Sequence, residues 1–229
     1  MERQAENIQK LNSSHPFRKQ LQLELTKIQS KINRYWIVLT DDGMILQTVQ
    51  LLQMLLELLP RWMGVDYNNL RRASLEDKPS ELIHFLPELL ITLVSKYHMT
   101  MVRLKQNYLM MVREEHIRQI LELTCLLLSE QEIITNPYLS AEFVEMLYML
   151  LWDERAKVVH EQLRSSEVVV RNLTFGLIRF YCGIANTGRS NQFYEKFKYR
   201  QCANKIFTTL WTYEVFREDL KLYFKDRLF

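Results

Sequence analysis

Histidines and acidic residues are the side chains from which this sequence could build an acid–base or metal site. Two histidines four apart on a helix would place both imidazoles on one face, but none of the five histidines has an HxxxH or HExxH partner. His98 and His116 are far apart in the sequence, and His160 belongs to an ordinary helix. His84 falls on the apolar face of its predicted helix, which favours a hydrogen-bonded core histidine over a metal ligand.

The acidic pairs show no acid–base arrangement either. Glu114 and Glu115 are adjacent helical positions, so their side chains point in different directions. Glu142 and Glu145 share a helix face, where solvated helix charge explains them without a metal or a catalytic role. The acidic residues therefore predict a charged helix surface rather than a reactive site.

The cysteines also indicate a protein without a reactive centre. Cys125, Cys182 and Cys202 are too few for a disulfide framework, and no CxxC pair provides zinc-ligand spacing. Cys125 lies in a run of leucines and Cys182 follows an aromatic residue, so both are expected to be small buried hydrophobes in a reducing compartment. Because GxSxG, GxGxxG and GxxxxGK[ST] motifs are also absent, the sequence predicts no catalytic residue, no metal and no cofactor.

Aromatic and basic residues alternate near the end of the sequence, in a pattern suited to recognition. A helix cannot bury all of these rings on one side, so either neighbouring helices cover both faces or part of the segment is a docking patch. The aromatic residues are Phe193, Tyr194, Phe197, Tyr199 and Trp211, with Lys196, Lys198 and Arg200 between them.

The candidate partner-binding residues come from this segment and from the longest predicted loop. The stretch from Gly64 to Pro79 is polar and punctuated, and its paired arginines could dock an acidic partner or remain solvated. The predicted partner-binding residues are Arg71, Arg72, Tyr194, Lys196, Lys198 and Tyr199.

Few turn-forming residues occur in the chain, and this limits the fold. Five glycines and five prolines make up about 4% of the 229 residues, against a typical value of about 12%. Tight hairpins and phosphate-binding loops consume glycine, so long helices with short polar connections are expected. A content of 48% hydrophobic and 25% charged residues argues against disorder, and collagen-like, disulfide-rich and glycine-rich phosphate-binding designs are excluded.

Charge and hydropathy predict a soluble, intracellular protein. The net charge is +3, because residues 1–40 and 189–229 each carry +4 and the remainder carries −5. The basic residues are interleaved with acids, so nucleic-acid binding is not predicted. The longest apolar run, Met146–Trp152, is far shorter than the ~20 residues of a membrane span, and no signal pattern begins the chain. We therefore expect no membrane partner and a location in the cytoplasm, with the nucleus as a second compartment.

Helical periodicity runs through most of the chain. Apolar residues at steps of three or four, from Leu21 to Leu39, predict a first helix of about 23 residues that starts near Pro16. A wide apolar face predicts that the second helix is buried on more than one side. Pro87 predicts a kink, and Asn136-Pro137 is the sharpest helix start. A long helix over 167–186, capped by Ser165-Ser166, and a last one over 213–224 follow.

About nine to eleven helices and no strand result from this pattern. Such helices pack either as a bundle or as an irregular stack of the armadillo or HEAT kind. The broad apolar faces of the second helix and of residues 139–151 favour stacking, in which middle helices are covered on both sides. The predicted fold is therefore all-α, an armadillo/HEAT-like irregular stack of antiparallel helices.

In several blocks of the sequence, uncommon residues recur in a characteristic order. SEQEIITNPYLSAEFVEMLYML at 129–150 has an Asn-Pro-Tyr-Leu step that opens a helix, and LIRFYCGIANTGRSNQFYEKFKYR at 177–200 has a Thr-Gly turn and a Phe-Tyr-x-Lys-Phe run. IFTTLW at 206–211 closes the unit, and FLPELLITLV at 85–94 matches more weakly. Over residues 80–211 the sequence resembles the helical core of the U-box ubiquitin-chain elongation factors.

The resemblance implies an all-α scaffold in ubiquitin transfer, with residues 80–229 as the core and residues 1–79 as a helical part without a match. In that family a C-terminal U-box recruits the ubiquitin-conjugating enzyme. Only 18 residues follow Trp211, too few for a U-box, and no RING cysteine pattern occurs. The expectation is a piece of a larger ligase, for example a SPRY-plus-RING ligase, or a core without its catalytic module.

Three functional hypotheses remain. The first is a non-catalytic scaffold region of a RING/U-box-type ubiquitin ligase that binds substrate, adaptor, ubiquitin-like domain or other ubiquitin-pathway proteins. The alternative is a general helical protein-interaction adaptor unrelated to ubiquitin. The third is a helical enzyme or lipid-handling protein with an internal cavity lined by convergent polar groups.

Overall fold

Ten helices make up the part of the chain that the structure describes. The computed structural model describes residues 16–62, 88–129, 136–152, 156–186 and 193–227. No strand occurs within these ranges, so the predicted all-α fold of about nine to eleven helices is confirmed. The helices are α1 Pro16–Leu39, α2 Asp42–Trp62, α3 Glu88–Leu104, α4 Tyr108–Met111, α5 Glu114–Ser129, α6 Pro137–Trp152, α7 Lys157–Ser165, α8 Glu167–Asn186, α9 Phe193–Trp211 and α10 Glu214–Arg227.

The chain forms two compact units, Met1–Thr48 and Val49–Phe229. The boundary predicted between residues 79 and 80 lies outside the described residues and stays a prediction. The expected loop over 64–79 and the expected kink at Pro87 lie outside them as well.

The first helix forms as predicted, but its apolar stripe is not buried. α1 begins at Pro16, whose missing N–H costs nothing in a first turn. Its apolar side chains are largely exposed, at 39% for Leu21, 49% for Ile28 and 46% for Trp36. The 3.6-residue period therefore determined the helix without determining what covers it.

The second helix begins at a side-chain cap and is buried on one face only. Asp41 Oδ1 accepts a hydrogen bond from the Met44 N–H at 2.9 Å, which satisfies one of the free amides of the first turn. The expectation that α2 is buried on more than one side is wrong, because Leu51 and Met54 are 57% and 62% exposed. A wide apolar face shows what a helix could bury, whereas the neighbours decide how much of it is covered.

By length and composition, one helix of the described residues could cross a membrane. The segment Asp42–Arg61 satisfies this test, and 33% of its apolar window is buried inside the structure. Core helices of globular proteins satisfy the same test, so the finding is weak evidence of membrane insertion.

The second unit is a stack of helices in two layers. α3, α6 and α9 form one layer, in which α6 packs against both of its neighbours. α5, α8 and α10 form the other layer, in which α8 packs against both of its neighbours. α6 contacts α5 and α8 across the layers, and α9 contacts α8 and α10. This repeated arrangement is that of a helical stack.

The centre of the core is the contact between α5 and α8, the most extensive in the structure. A Cβ atom added to Gly176 would lie 2.9 Å from Leu128 Cβ and 3.3 Å from the Leu128 carbonyl carbon, so the two helices approach where only glycine fits. On α5 the fully buried apolar side chains include Ile117, Ile120, Leu121 and Leu123.

Two helix starts confirm the capping signals in the sequence. At α6 the Tyr138 N–H donates to Asn136 Oδ1 at 3.1 Å. At α8 the Val169 N–H lies 3.5 Å from Ser166 Oγ, while the Ser166 hydroxyl donates to Glu122 Oε1 on α5 at 2.7 Å. Burial raises the pKa of Glu122, and the hydrogen bond from Ser166 opposes that rise. The cap of α8 thus also joins the two central helices.

Candidate partner-binding surface

The predicted partner-binding residues are only partly within the described structure. Arg71 and Arg72 lie outside the described residues. Tyr194 belongs to α9, but its side chain is not among those described. Lys196 and Tyr199 are half-buried on the same helix. The remaining predicted residue is a lysine of α9, and it belongs to a charged network on the outer face of α6.

Lys198 is held by a carboxylate of the neighbouring helix. Its Nζ lies 2.8 Å from Glu145 Oε2 on α6 and 5.5 Å from the centroid of the Tyr199 ring. The Lys198 side chain is 54% exposed, whereas that of Glu145 is 14% exposed. Glu145 Oε1 also lies 3.4 Å from a guanidinium nitrogen of Arg103 on α3. One carboxylate of α6 therefore joins cations from both neighbouring helices of its layer.

A second carboxylate one turn earlier repeats this arrangement toward α3. Lys96 Nζ lies 2.8 Å from Glu142 Oε1, and the Glu142 side chain is 20% exposed. As predicted, Glu142 and Glu145 share a helix face. They are less solvated than expected, because helices on either side supply cations that cover them. Exposed ion pairs contribute little singly, about 0–1 kcal/mol, so their main effect is to fix the pattern of charge.

An aromatic pair on α6 holds one more lysine of α9. Lys205 Nζ lies 5.1 Å from the centroid of the Tyr148 ring and 4.8 Å from that of Trp152. It also donates a hydrogen bond to Tyr148 Oη at 3.1 Å. Trp152 is 66% exposed, so its ring remains available to a partner. The sequence interpretation missed this cluster, although a Tyr and a Trp four residues apart on one helix were a visible signal.

We name this outer face the α6 surface. It carries four cations and two carboxylates, so it is net positive, and it has an exposed aromatic ring at one end. A net positive surface of this kind attracts acidic groups electrostatically. Its residues are Lys96, Arg103, Glu142, Glu145, Tyr148, Trp152, Lys198 and Lys205.

The aromatic segment of α9 is only partly covered by its neighbours. Phe197 is 63% exposed and Trp211 is 47% exposed, so neighbouring helices do not cover both faces of the segment. Arg200, which the sequence also placed in the segment, lies over the Tyr181 ring of α8 at 4.4 Å from its centroid. The segment therefore presents aromatic rings and cations on two sides of α9.

An open apolar cleft lies on the other side of α9, between α8 and α10. Its volume is about 570 Å³. Ile178 and Tyr181 of α8, Phe207 and Trp211 of α9 and Leu220 of α10 form most of its wall. This cleft could not be predicted from the sequence, because it depends on how three helices pack against one another.

The structure brings together two histidines that the sequence left separate. His98 Nδ1 lies 2.6 Å from the Val94 carbonyl oxygen, so this nitrogen carries the proton and Nε2 is left as an acceptor. His116 Nε2 must then donate to His98 Nε2 at 2.9 Å. His116 Nδ1 is buried and lacks a hydrogen-bond partner within the described structure. The missing HxxxH spacing excluded a pair on one helix, but not a pair between α3 and α5.

Burial keeps both imidazoles neutral. It lowers the pKa of His98 to about 4, against the opposing effect of the hydrogen bond to Val94. Burial and the neighbouring His98 lower the pKa of His116 to about 3. Both rings therefore serve as packing and hydrogen-bonding groups. The core histidine predicted from the sequence, His84, lies outside the described residues.

The cysteines differ from the prediction at one position. Cys125 and Cys202 are buried, and burial is the main cause that raises the pKa of each thiol. Cys182 is exposed, so the expectation that it is a buried hydrophobe is wrong, because its side of α8 lines the apolar cleft. Within the described ranges, no three His, Cys, Asp or Glu side chains are grouped to hold a metal ion.

Comparison with known proteins gives matches to one family. A sequence model of the family described as the ubiquitin elongating factor core matches residues 1–229, which include the region without a recognisable block. The chain is 30% identical over 133 residues to the ubiquitin conjugation factor E4 of Schizosaccharomyces pombe, a match of 57% of this chain and 13% of that protein. It is 30% identical over 102 residues to the E4 ubiquitin-protein ligase UFD2 of Saccharomyces cerevisiae, covering 43% and 11%.

The chain thus spans a small part of the length of these curated relatives. No solved structure matches it. The resemblance found in the sequence blocks and the match of the family model across all 229 residues agree. The chain belongs to the ubiquitin elongating factor core family.

Proposed function

We propose that this chain is a non-catalytic scaffold region of a ubiquitin ligase that holds a protein of the ubiquitin pathway on the α6 surface. The observation that carries the proposal is the family match over residues 1–229. The names of the two relatives, a ubiquitin conjugation factor and a ubiquitin-protein ligase, support the same pathway. The cytoplasm, with the nucleus as a second compartment, is part of this proposal.

The α6 surface supports a docking role because its cations are positioned before a partner arrives. Glu142 and Glu145 hold cations from α3 and α9 in place, so little side-chain entropy remains to be lost on binding. Trp152 provides an exposed ring of the type that dominates protein interfaces. The excess of cations favours a partner, either adaptor, substrate or ubiquitin-like domain, that presents acidic residues around an apolar anchor.

The chemistry of the thiols supports a non-catalytic role. Transfer of ubiquitin through a thioester requires an accessible thiolate. Cys125 and Cys202 are buried with raised pKa values, which disfavours the thiolate at both positions. Cys182 is exposed, so Cys182→Ser provides a direct control for covalent chemistry at the remaining thiol.

The first experiment measures which proteins the α6 surface captures. The immobilised chain, its Lys198→Glu variant and its Arg171→Glu variant are compared by isotope-coded mass spectrometry of proteins bound from cell lysate. Lys198 and Arg171 are matched, because their side chains are 54% and 55% exposed and each pairs with one glutamate. We expect ubiquitin-pathway proteins among the captured set, reduced about fivefold or more by Lys198→Glu and unchanged by Arg171→Glu.

Equal capture by the three proteins would contradict the role of the α6 surface. A captured set without ubiquitin-pathway proteins would favour the general adaptor instead. In a second assay the chain is added to activating enzyme, conjugating enzyme and ubiquitin. We expect no more polyubiquitin than without the chain, whereas turnover that Cys182→Ser abolishes would overturn the non-catalytic role.

A further inference from the structure

The cleft between α8, α9 and α10 has the dimensions of a helix-binding groove. The α9 residues that line it run from Asn204 to Trp211, which is about 10 Å along the helix axis. Arg200 lies one turn before Asn204, so the continuous face from Arg200 to Trp211 is about 16 Å long. This length corresponds to about three turns of a partner helix.

The walls of the cleft are apolar and accessible. Phe207 and Leu220 line it, and Trp211 is 47% exposed at one end. The cleft of about 570 Å³ is open along one side rather than enclosed. Small-molecule sites bury most of their ligand, so an open groove of this kind suits the side of a helix better than a free lipid or metabolite.

A cation that pairs with no carboxylate of the described residues lies at the other end of the cleft. The Arg200 guanidinium stacks on Tyr181, a ring that lines the cleft and that also meets Phe207 edge to face at 6.3 Å. Arg200 Nε is buried and makes no hydrogen bond to any described group. No described carboxylate forms an ion pair with Arg200, unlike Lys198 on the opposite side of the same helix. Arg200 as a whole is only half-buried, so an occupant with a carboxylate would gain a charge-assisted contact with its guanidinium group.

We propose that this cleft binds a helical segment of a partner protein that presents apolar side chains on successive turns and a carboxylate one turn beyond them. The apolar side chains pack between Phe207, Trp211 and Leu220, and the carboxylate pairs with Arg200. The inference extends the proposed scaffold function by adding a second docking site, and it involves none of the residues of the α6 surface.

The test uses two synthetic, alanine-rich helical peptides labelled with a fluorophore. The acidic peptide carries leucine on three successive turns and a glutamate one turn beyond either end, so that either orientation presents a carboxylate to Arg200. The matched peptide carries glutamine in place of both glutamates. Fluorescence anisotropy with the 229-residue chain should give about fivefold tighter binding of the acidic peptide.

Three variants assign the binding to the cleft. Arg200→Gln should remove the preference for the acidic peptide, and Trp211→Ala should weaken both peptides by about tenfold. Trp152→Ala removes a tryptophan of the α6 surface that is more exposed than Trp211, 66% against 47%, and should leave both affinities unchanged. Circular dichroism establishes that each variant keeps its helix content before binding is measured.

Cys182 provides a readout that needs no substitution. It lines the cleft and is exposed, whereas Cys125 and Cys202 are buried, so an alkylating reagent reacts first at the cleft. The acidic peptide should slow alkylation of Cys182 several-fold. Equal affinity of the two peptides, an unchanged preference in Arg200→Gln, or unprotected Cys182 would overturn the proposal. Displacement of the peptide by free laurate at equal concentration would overturn it in favour of a lipid. None of these outcomes bears on capture by the α6 surface.

Discussion

α5 and α9 are helices of similar length, 16 and 19 residues, in the same compact unit, yet their side chains differ greatly in solvent exposure. Every residue of α5 from Leu123 to Ser129 is buried. α9 buries a narrow stripe around Ala203 and Ile206 and exposes rings and cations on either side of it. α5 packs against α6, α7 and α8, whereas α9 contributes one side to the α6 surface and another side to the cleft.

This difference indicates where the stack can act. A helix that is covered on all sides contributes packing, and its polar groups must find partners within the core. A helix that is covered along one stripe has other faces that remain accessible to partner molecules. The two accessible faces of α9 differ, because Lys198 pairs with a carboxylate and Arg200 stacks on an aromatic ring. Stability should therefore depend on α5, and binding should depend on α9.

The largest expected effect is the loss of a buried leucine from α5. Leu123 has no exposed surface, so Leu123→Ala removes apolar contacts and leaves a cavity, which should cost about 2–5 kcal/mol in the free energy of unfolding. Leu222→Ala, the same change at a residue that is 60% exposed on α10, should cost about 0.5 kcal/mol or less. Urea unfolding measures both, and equal losses would contradict the contrast between inner and outer helices.

The next effect concerns pH and the pair of His98 and His116. Unfolded histidines titrate near 6.5, while burial lowers the folded pKa values to about 4 and about 3. Stability from the neutral pair is therefore fully present above pH 6.5. It falls as the pH drops below 6.5, because the unfolded chain takes up protons first. Between pH 7 and pH 5 the loss should be about 2–4 kcal/mol.

Urea unfolding at the two pH values measures this loss in the wild type and in a double variant, His98→Leu with His116→Leu. The double variant has no buried imidazole to protonate, so its stability should change less between pH 7 and pH 5. The same pH dependence in both proteins would assign the effect to other groups and would contradict the buried pair.

A smaller effect is expected at the close approach of α5 and α8. Alanine is normally about 1 kcal/mol better than glycine within a helix. At Gly176 the new Cβ would meet Leu128 at 2.9 Å, so Gly176→Ala should destabilise the protein by about 1–3 kcal/mol. The control variant Asn204→Ala, on the exposed side of α9, should have a free energy of unfolding within about 0.5 kcal/mol of that of the wild type. A stabilising Gly176→Ala would show that the two helices can separate without loss.

The smallest effect belongs to the outer surface. Lys205→Met keeps an apolar side chain but removes the charge between Tyr148 and Trp152, and should cost about 0.5–1 kcal/mol. Lys221→Met, at an exposed lysine that pairs with Glu218 of its own helix, should have no measurable effect. If Lys205→Met lowered the free energy of unfolding more than Gly176→Ala does, the outer surface would contribute more stability than the contact between α5 and α8.

Particular residues show how far the sequence could predict this structure. Asn136 and Ser166 were recognised as helix starts because capping depends on a few neighbouring residues, and both caps occur. The buried state of Cys182 was predicted from its neighbours alone and proved wrong, because Cys182 lines the open cleft between α8, α9 and α10. Lys198 was placed among the candidate binding residues and Glu145 on a charged helix face, but the sequence did not indicate that the two residues pair across helices.

What the sequence determined by itself is local: a chain poor in glycine and proline, with apolar residues at steps of three and four, forms helices that begin at polar caps. The sequence blocks at 129–150 and 177–200 also indicated the family to which the chain belongs. Only the tertiary structure decided that two distant histidines share a hydrogen bond, that α6 gathers cations from two neighbours, and that three helices leave a cleft. The physical reason is that helical periodicity specifies which side of a helix can be covered, whereas the packing of the other helices specifies what covers it.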